Sequence, residues 1–110
     1  MPPISRKRAH PRYQFRVPVQ VSSDQGETSG YSVNVSLGGM LLEIPVPFPF
    51  GTKLNLRFRL PGIDSDTEVE ATVRWNKENG IGLQFGSLRA KDVWALNRLF
   101  KEIRNGSSPQ

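Results

Sequence analysis

Apolar side chains along this chain recur mostly at every second position, in short runs separated by clusters of glycine, proline, asparagine and aspartate. That period belongs to half-buried strands. Val17, Val19 and Val21 alternate with Pro18 and Gln20. Asp24 to Gly30, rich in Gly, Ser, Asp and Gln, reads as a turn. In Tyr31 to Leu37 the alternation assigns Val33, Val35 and Leu37 to the core and Ser32, Asn34 and Ser36 to the opposite face. Gly38-Gly39 interrupts, and Met40 to Ile44 resumes as a strand. Pro45 to Gly51 holds three prolines, which lack the amide donors a central strand needs, so it is expected to be an apolar loop. Lys53 to Leu60 turns Leu54, Leu56, Phe58 and Leu60 inward, with Asn55, Arg57 and Arg59 outward. After a turn over Pro61 to Asp66, Glu68 to Trp75 places Val69, Ala71, Val73 and Trp75 on one face. Asn76 to Gly80 turns the chain again, and Ile81, Leu83 and Phe85 form a last inward row.

The period changes near Ser87, a candidate N-cap. Val93, Leu96, Leu99, Phe100 and Ile103 follow at helical spacing, and Asn105-Gly106 supplies a stop. Trp94 is assigned to packing of this helix. The pattern therefore predicts an all-β fold with one terminal helix: a small antiparallel barrel of about six strands, or a sandwich, with the C-terminal helix packed on it. Residues 1–16 read as a flexible basic arm, 17–104 as the barrel with its helix, and 105–110 as a polar tail. No internal repeat interrupts this plan.

Length adds that the 110 residues suit one compact domain. No apolar run approaches the roughly 20 residues of a membrane span, and no apolar stretch follows the charges of Met1 to Arg8, so neither a span nor a signal peptide is expected. The absence of cysteine removes disulfides and thiolate chemistry and fits a cytoplasmic location. A single histidine, His10, leaves no metal cluster to assemble.

The net charge of +5 matters through its placement, because Arg6, Lys7, Arg8, Arg12 and Arg16 all precede the first acidic residue, Asp24. A basic arm attracts phosphate, whether on nucleic acid, an anionic membrane or a small nucleotide; it is equally compatible with a solvated tail. Within it, Arg8 and Arg12 are separated by three residues, and guanidinium forks suit both phosphate oxygens and the O6/N7 edge of guanine. In Asn34-Val35-Ser36-Leu37-Gly38-Gly39, the alternation projects Asn34 and Ser36 from one face. Asn34 offers donor and acceptor, Ser36 a hydroxyl, and Gly39 a close approach to the backbone. Solvated side chains before a glycine turn explain the same residues.

Together these residues resemble the PilZ domains, bacterial receptors for cyclic di-GMP. That family pairs two arginines spaced as Arg8 and Arg12 with Asp or Asn, then Ser, then Gly, spaced as Asn34, Ser36 and Gly39. Gly80-Ile81-Gly82-Leu83-Gln84-Phe85 is similar to the family's glycine-rich closing strand, and the likeness runs from Arg6 to Arg104. The resemblance implies that Arg8 and Arg12 meet phosphate and a guanine edge from the arm, while Asn34 and Ser36 hold the other side from the barrel wall, kept flat by Gly39. Asn34, where many members carry Asp, gives up a charge-assisted acceptor, which implies modestly lower affinity. Trp75 is either a rim indole that stacks on guanine or a core residue, since its parity matches Val73. Arg6 and Lys7, just before the motif, imply two mutually intercalated nucleotides per chain.

The resemblance implies no enzyme and no cofactor beyond this ligand, in keeping with a sequence that offers no paired carboxylates and no nucleophile beside a base. It further implies action through an unidentified downstream protein, by ordering of the arm on binding. Two other classes stand beside it. A basic barrel can bind single-stranded nucleic acid by stacking bases on exposed aromatics, but Phe58 and Phe85 have inward parity, and DNA is not expected as a partner. A protein-interaction module of the same fold without a ligand is the third.

Overall fold

A computed structural model of the chain describes residues 11–106. It contains β1 (Tyr13–Gln14), β2 (Pro18–Ser23), β3 (Gly26–Val35), β4 (Gly39–Glu43), β5 (Lys53–Phe58), β6 (Thr67–Lys77), β7 (Gly80–Phe85) and α1 (Ala90–Arg104). All strand pairs are antiparallel, in the order β1-β3-β2-β5-β6-β7-β4, and a further β3–β4 pairing closes the sheet. The result is a closed six-stranded barrel with β1 outside it, and closure leaves the six strands without a free edge.

The alternation predicted for β2, β5 and β7 holds: Val19, Val21, Leu54, Leu56, Phe58, Ile81, Leu83 and Phe85 are buried. Ala95, Leu96, Leu99 and Phe100 of α1 join the same apolar cluster. The helix begins two residues later than expected, with Arg89 rather than Ser87 at the N-cap. The reason is Asp92, whose buried carboxylate accepts from the Arg89 backbone N–H (3.3 Å) and from Arg89 Nε (3.1 Å), satisfying a first-turn donor and complementing the helix dipole. Gly106, at φ 83°, ends the helix as expected.

Several expectations are corrected. Most of Asp24 to Gly30 is strand, because the turn shrinks to Asp24-Gln25, where Ser23 Oγ accepts from the Gln25 N–H. The polar Glu27 and Ser29 face solvent, while Gly30 lies where a Cβ would meet the Glu43 carbonyl, so the cross-strand ladder overrides local composition. Trp94 is not packed: it is 59% exposed. The last residues of the presumed arm belong to the barrel unit. Tyr13 and Gln14 pair with Val35 and Asn34, and Phe15 is buried in the core.

The face assignment within β3 also changes. A bulge lies between Ser32 and Asn34, so one residue is left unpaired and the parity reverses across it. Ser32 is wholly buried, Val33 is exposed, Asn34 is half-buried and Val35 is back in the core. The buried Ser32 hydroxyl donates to the Phe15 carbonyl and accepts from the Val17 N–H at 3.0 Å. With the Phe15 N–H donating to Val33 O and the Ser32 N–H to Val17 O, Ser32 latches the β1–β2 link onto the barrel.

Candidate functional site

Arg12 immediately precedes β1, which is held from two sides. Its register with β3 fixes it along the strand, and Tyr13 stacks on Phe100 of α1 with centroids 4.5 Å apart and planes 12° apart, while Arg104 donates to the Tyr13 hydroxyl at 3.0 Å. Held in this way, Arg12 donates to Asn34 Oδ1 at 2.7 Å. One member of each sequence motif is thereby brought into contact across 22 residues of chain. Arg6, Lys7 and Arg8 lie outside the described residues.

Asn34 starts a row that crosses the outer wall of the barrel. The pairings Asn34↔Leu41, Leu41↔Gly82 and Gly82↔Trp75 place these residues side by side on β3, β4, β7 and β6, with Gln14 of β1 beyond Asn34. Met40, Leu42, Ile81 and Leu83 are all buried, so Leu41 and Gly82 between them belong to the outer face. At about 4.8 Å per strand, Asn34 and Gly82 stand roughly 10 Å apart.

Trp75 reaches the row because β6 also bulges, between Val73 and Trp75. Strict alternation would have carried the indole inward behind Val73; the extra residue turns it out, leaving it 38% exposed. It lies against the backbone of Gly82, where a Cβ would run into the ring. The rim position, left open by the sequence, is the observed one. Lys77 Nζ sits 5.6 Å from the ring centroid, within reach of a cation–π attraction.

Ser36 and Gly39 are placed differently from expectation. The strand ends at Val35, so Ser36 does not continue its outward alternation; it is buried, and its hydroxyl accepts from the Gly38 and Gly39 N–H groups at 3.0 and 3.2 Å. Gly39 is buried too, and a Cβ there would strike the Leu83 carbonyl of β7. Its lack of a side chain serves the approach of β4 to β7, and through this turn both residues shape the end of the wall beside Asn34. Leu41, Gly82 and Gln14 escaped the sequence reading, since only cross-strand register reveals them; the glycine of Ile81-Gly82-Leu83 was the one signal of a flat spot.

The comparisons assign the fold that carries this wall to a family. The PilZ domain family matches residues 6–102. The chain belongs to the PilZ family. Two solved structures share the fold. The Bacillus subtilis inhibitor of motility MotI/DgrA superimposes with a TM-score of 0.74 at 24% identity, over 96% of this chain and 57% of that one. The PilZ domain of CeSA from a cellulose-synthesizing bacterium gives a TM-score of 0.67 at 17% identity, over 86% of this chain and 98% of that one. The chain thus spans little more than half the length of MotI/DgrA. None of the curated proteins matches it. PilZ membership makes a receptor for cyclic di-GMP the general reading, in a fold that is not typically catalytic.

Among the described residues no group of His, Cys, Asp or Glu could hold a metal, and no helix is long and apolar enough to cross a membrane. Phe58 and Phe85 are buried as expected, but other aromatics are not: Phe50, Trp94 and Tyr31 are exposed along with Trp75. Each carries a cation over its ring, Arg74 on Phe50, Arg98 on Trp94 and Arg16 on Tyr31. These exposed rings lie outside the inward parity of Phe58 and Phe85. They are set on a proline-rich loop, the helix and an earlier position of β3, whereas Trp75 alone lies in the row that contains Asn34.

Proposed function

We propose that this PilZ domain is a non-enzymatic receptor that binds cyclic di-GMP on the outer barrel wall, between the segment carrying Arg8 and Arg12 and the row from Asn34 to Trp75. The observation that carries this reading is the 2.7 Å bond from Arg12 to Asn34, since it joins the two halves of the motif at one edge of a flat wall. A guanidinium has five N–H donors in a fixed fork; one is engaged with Asn34, and the others suit a phosphate or the O6/N7 edge of guanine. Asn34 keeps its amide donors for the ligand. The gap of roughly 10 Å between Asn34 and Gly82 has room for one nucleotide, and the open face of Trp75 suits stacking on a purine. Ser36 and Gly39 support the site by holding the turn that ends the wall; the Ser36 proton has no acceptor among the described residues and suits a ligand oxygen. Arg6 and Lys7 add charge for a second, intercalated nucleotide.

Signalling follows in the same reading. A nucleotide bridging Arg8 and the wall pins the residues before Pro11 across the barrel and builds a surface of chain and ligand that a partner protein can recognise.

Titration calorimetry with cyclic di-GMP tests the site. Saturable binding is expected, with a tenfold or greater loss for Arg8→Ala and for Arg12→Ala, because a charge-assisted hydrogen bond contributes about 1.5–3 kcal/mol. A stoichiometry of two supports intercalation and a value of one removes it. If wild-type protein gives no binding, or both variants bind like wild type, the assignment fails. For the switch, amides of residues 4–10 should gain protection from hydrogen exchange when nucleotide is added.

A further inference from the structure

The outward face of α1 has a composition unlike that of an ordinary solvated helix. Ala95, Leu96, Leu99 and Phe100 are buried in the core, and the opposite side carries Lys91, Trp94, Arg98 and Lys101, at the spacings i, i+3, i+7 and i+10 that share one helix face. All four are exposed, as is Arg104 beyond them. Trp94 lies one turn from the start of this face, and 59% of it meets solvent. Arg98 lies 5.7 Å from the ring centroid and pairs with Glu102 at 3.7 Å. Glu102 is the single acid on this side; Asp92, the other acid of the helix, is turned inward and bound to Arg89.

We propose that this face of α1 docks on an anionic lipid surface, with Trp94 at the headgroup level and Lys91, Arg98 and Lys101 facing acidic headgroups. The inference does not rest on the nucleotide reading, because it uses none of the residues of the barrel wall. Indole prefers the membrane interface, where its apolar body and its N–H are both accommodated. Lysine and arginine within a Debye length of an anionic leaflet are drawn to it. The cations extend along a helix about 20 Å long, so the whole length can lie flat. Shape favours lipid over protein. The face is the convex side of one helix, and two grooves of about 740 and 730 Å³ are lined instead by barrel strands and their loops. A lone aromatic without apolar neighbours lacks the water-excluding surround of a protein hot spot, whereas fluid headgroups adapt to it.

The test is cosedimentation of the full chain with vesicles of phosphatidylcholine alone and of phosphatidylcholine mixed with phosphatidylglycerol. The bound fraction should rise at least tenfold with phosphatidylglycerol and fall as salt is raised. Trp94→Ala, and the combined Lys91→Glu, Arg98→Glu and Lys101→Glu, should each lower it tenfold, with circular dichroism unchanged because these side chains are exposed. Trp94→Phe serves as the milder variant and should keep part of the binding. A second control, Arg6→Glu with Lys7→Glu, separates the helix from the N-terminal charges. The proposal is overturned if wild type ignores phosphatidylglycerol, which would leave an acidic protein surface as the occupant. It is also overturned if the helix variants sediment like wild type, or if only the N-terminal variant loses binding.

Discussion

Asn34 and Ser36 look equivalent in sequence, two polar side chains two residues apart, and the fold uses them for different ends. Asn34 is still on a strand and meets Arg12 at the surface; Ser36 follows the strand's end, and its hydroxyl satisfies two backbone N–H groups that the turn would otherwise leave unpaired. Ser36→Ala should therefore lower stability by about 1–2 kcal/mol, the cost of stranding buried donors. Asn34→Ala should leave the melting curve nearly unchanged and reduce nucleotide affinity, because an exposed pair contributes little to folding. Thermal melts beside calorimetry separate the two, and equal stability losses would show that the hydroxyl does not hold the turn. Gly82 offers a second contrast. A Cβ there must displace the Trp75 indole rather than backbone, so Gly82→Ala should shift tryptophan fluorescence and lower nucleotide affinity several-fold while the protein stays folded. Unaltered affinity alongside a shifted spectrum would remove Trp75 from the site.

The elements explain why these side chains meet. Two bulges, one in β3 and one in β6, each reverse the parity of a strand. Without the first, a strand that buries Gly30 and Ser32 would have carried Asn34 inward; without the second, Trp75 would have followed Val73 into the core. Between them they deliver an amide and an indole to one outer row. β1 is the third device, short but tied to both β3 and α1. Tyr13→Ala removes a stacked pair worth about 0.5–1.5 kcal/mol beyond its buried area, and with it the tether that positions Arg12. The expected result is a loss of nucleotide affinity approaching that of Arg12→Ala, accompanied by faster exchange of the Phe15 amide, which donates to Val33 O. Wild-type affinity in this variant would mean that β1 does not place Arg12.

Across the whole molecule, closure of the barrel makes the core one unit, filled from six strands and sealed by α1 and Phe15. A charge placed inside it has no local refuge. Val35→Asp, at a fully buried position, should abolish cooperative unfolding or leave the chain unfolded, because an uncompensated buried carboxylate is costly. Val33→Asp, two residues away but outside because of the bulge, should be tolerated. Chemical denaturation of the pair measures this directly, and similar stabilities would contradict the β3 register.

Local sequence alone determined the segments that became β2, β4, β5, β6, β7 and α1, the core side of most of them, the proline-rich loop, and the residues of both motifs. These are local properties: burial of alternate side chains is written into neighbouring positions, and glycine and proline act on their own backbone. What the tertiary structure decided is everything that depends on a partner strand. The length of β3, the bulges, the row from Asn34 to Trp75 and the contact of Arg12 with Asn34 all arise from hydrogen bonds between residues distant in sequence, which the alternation cannot register. Trp94 makes the same point in reverse. Its position in the chain suited a packed helix, but the barrel covers only the side of α1 that carries Leu96 and Leu99, so the indole was left to solvent.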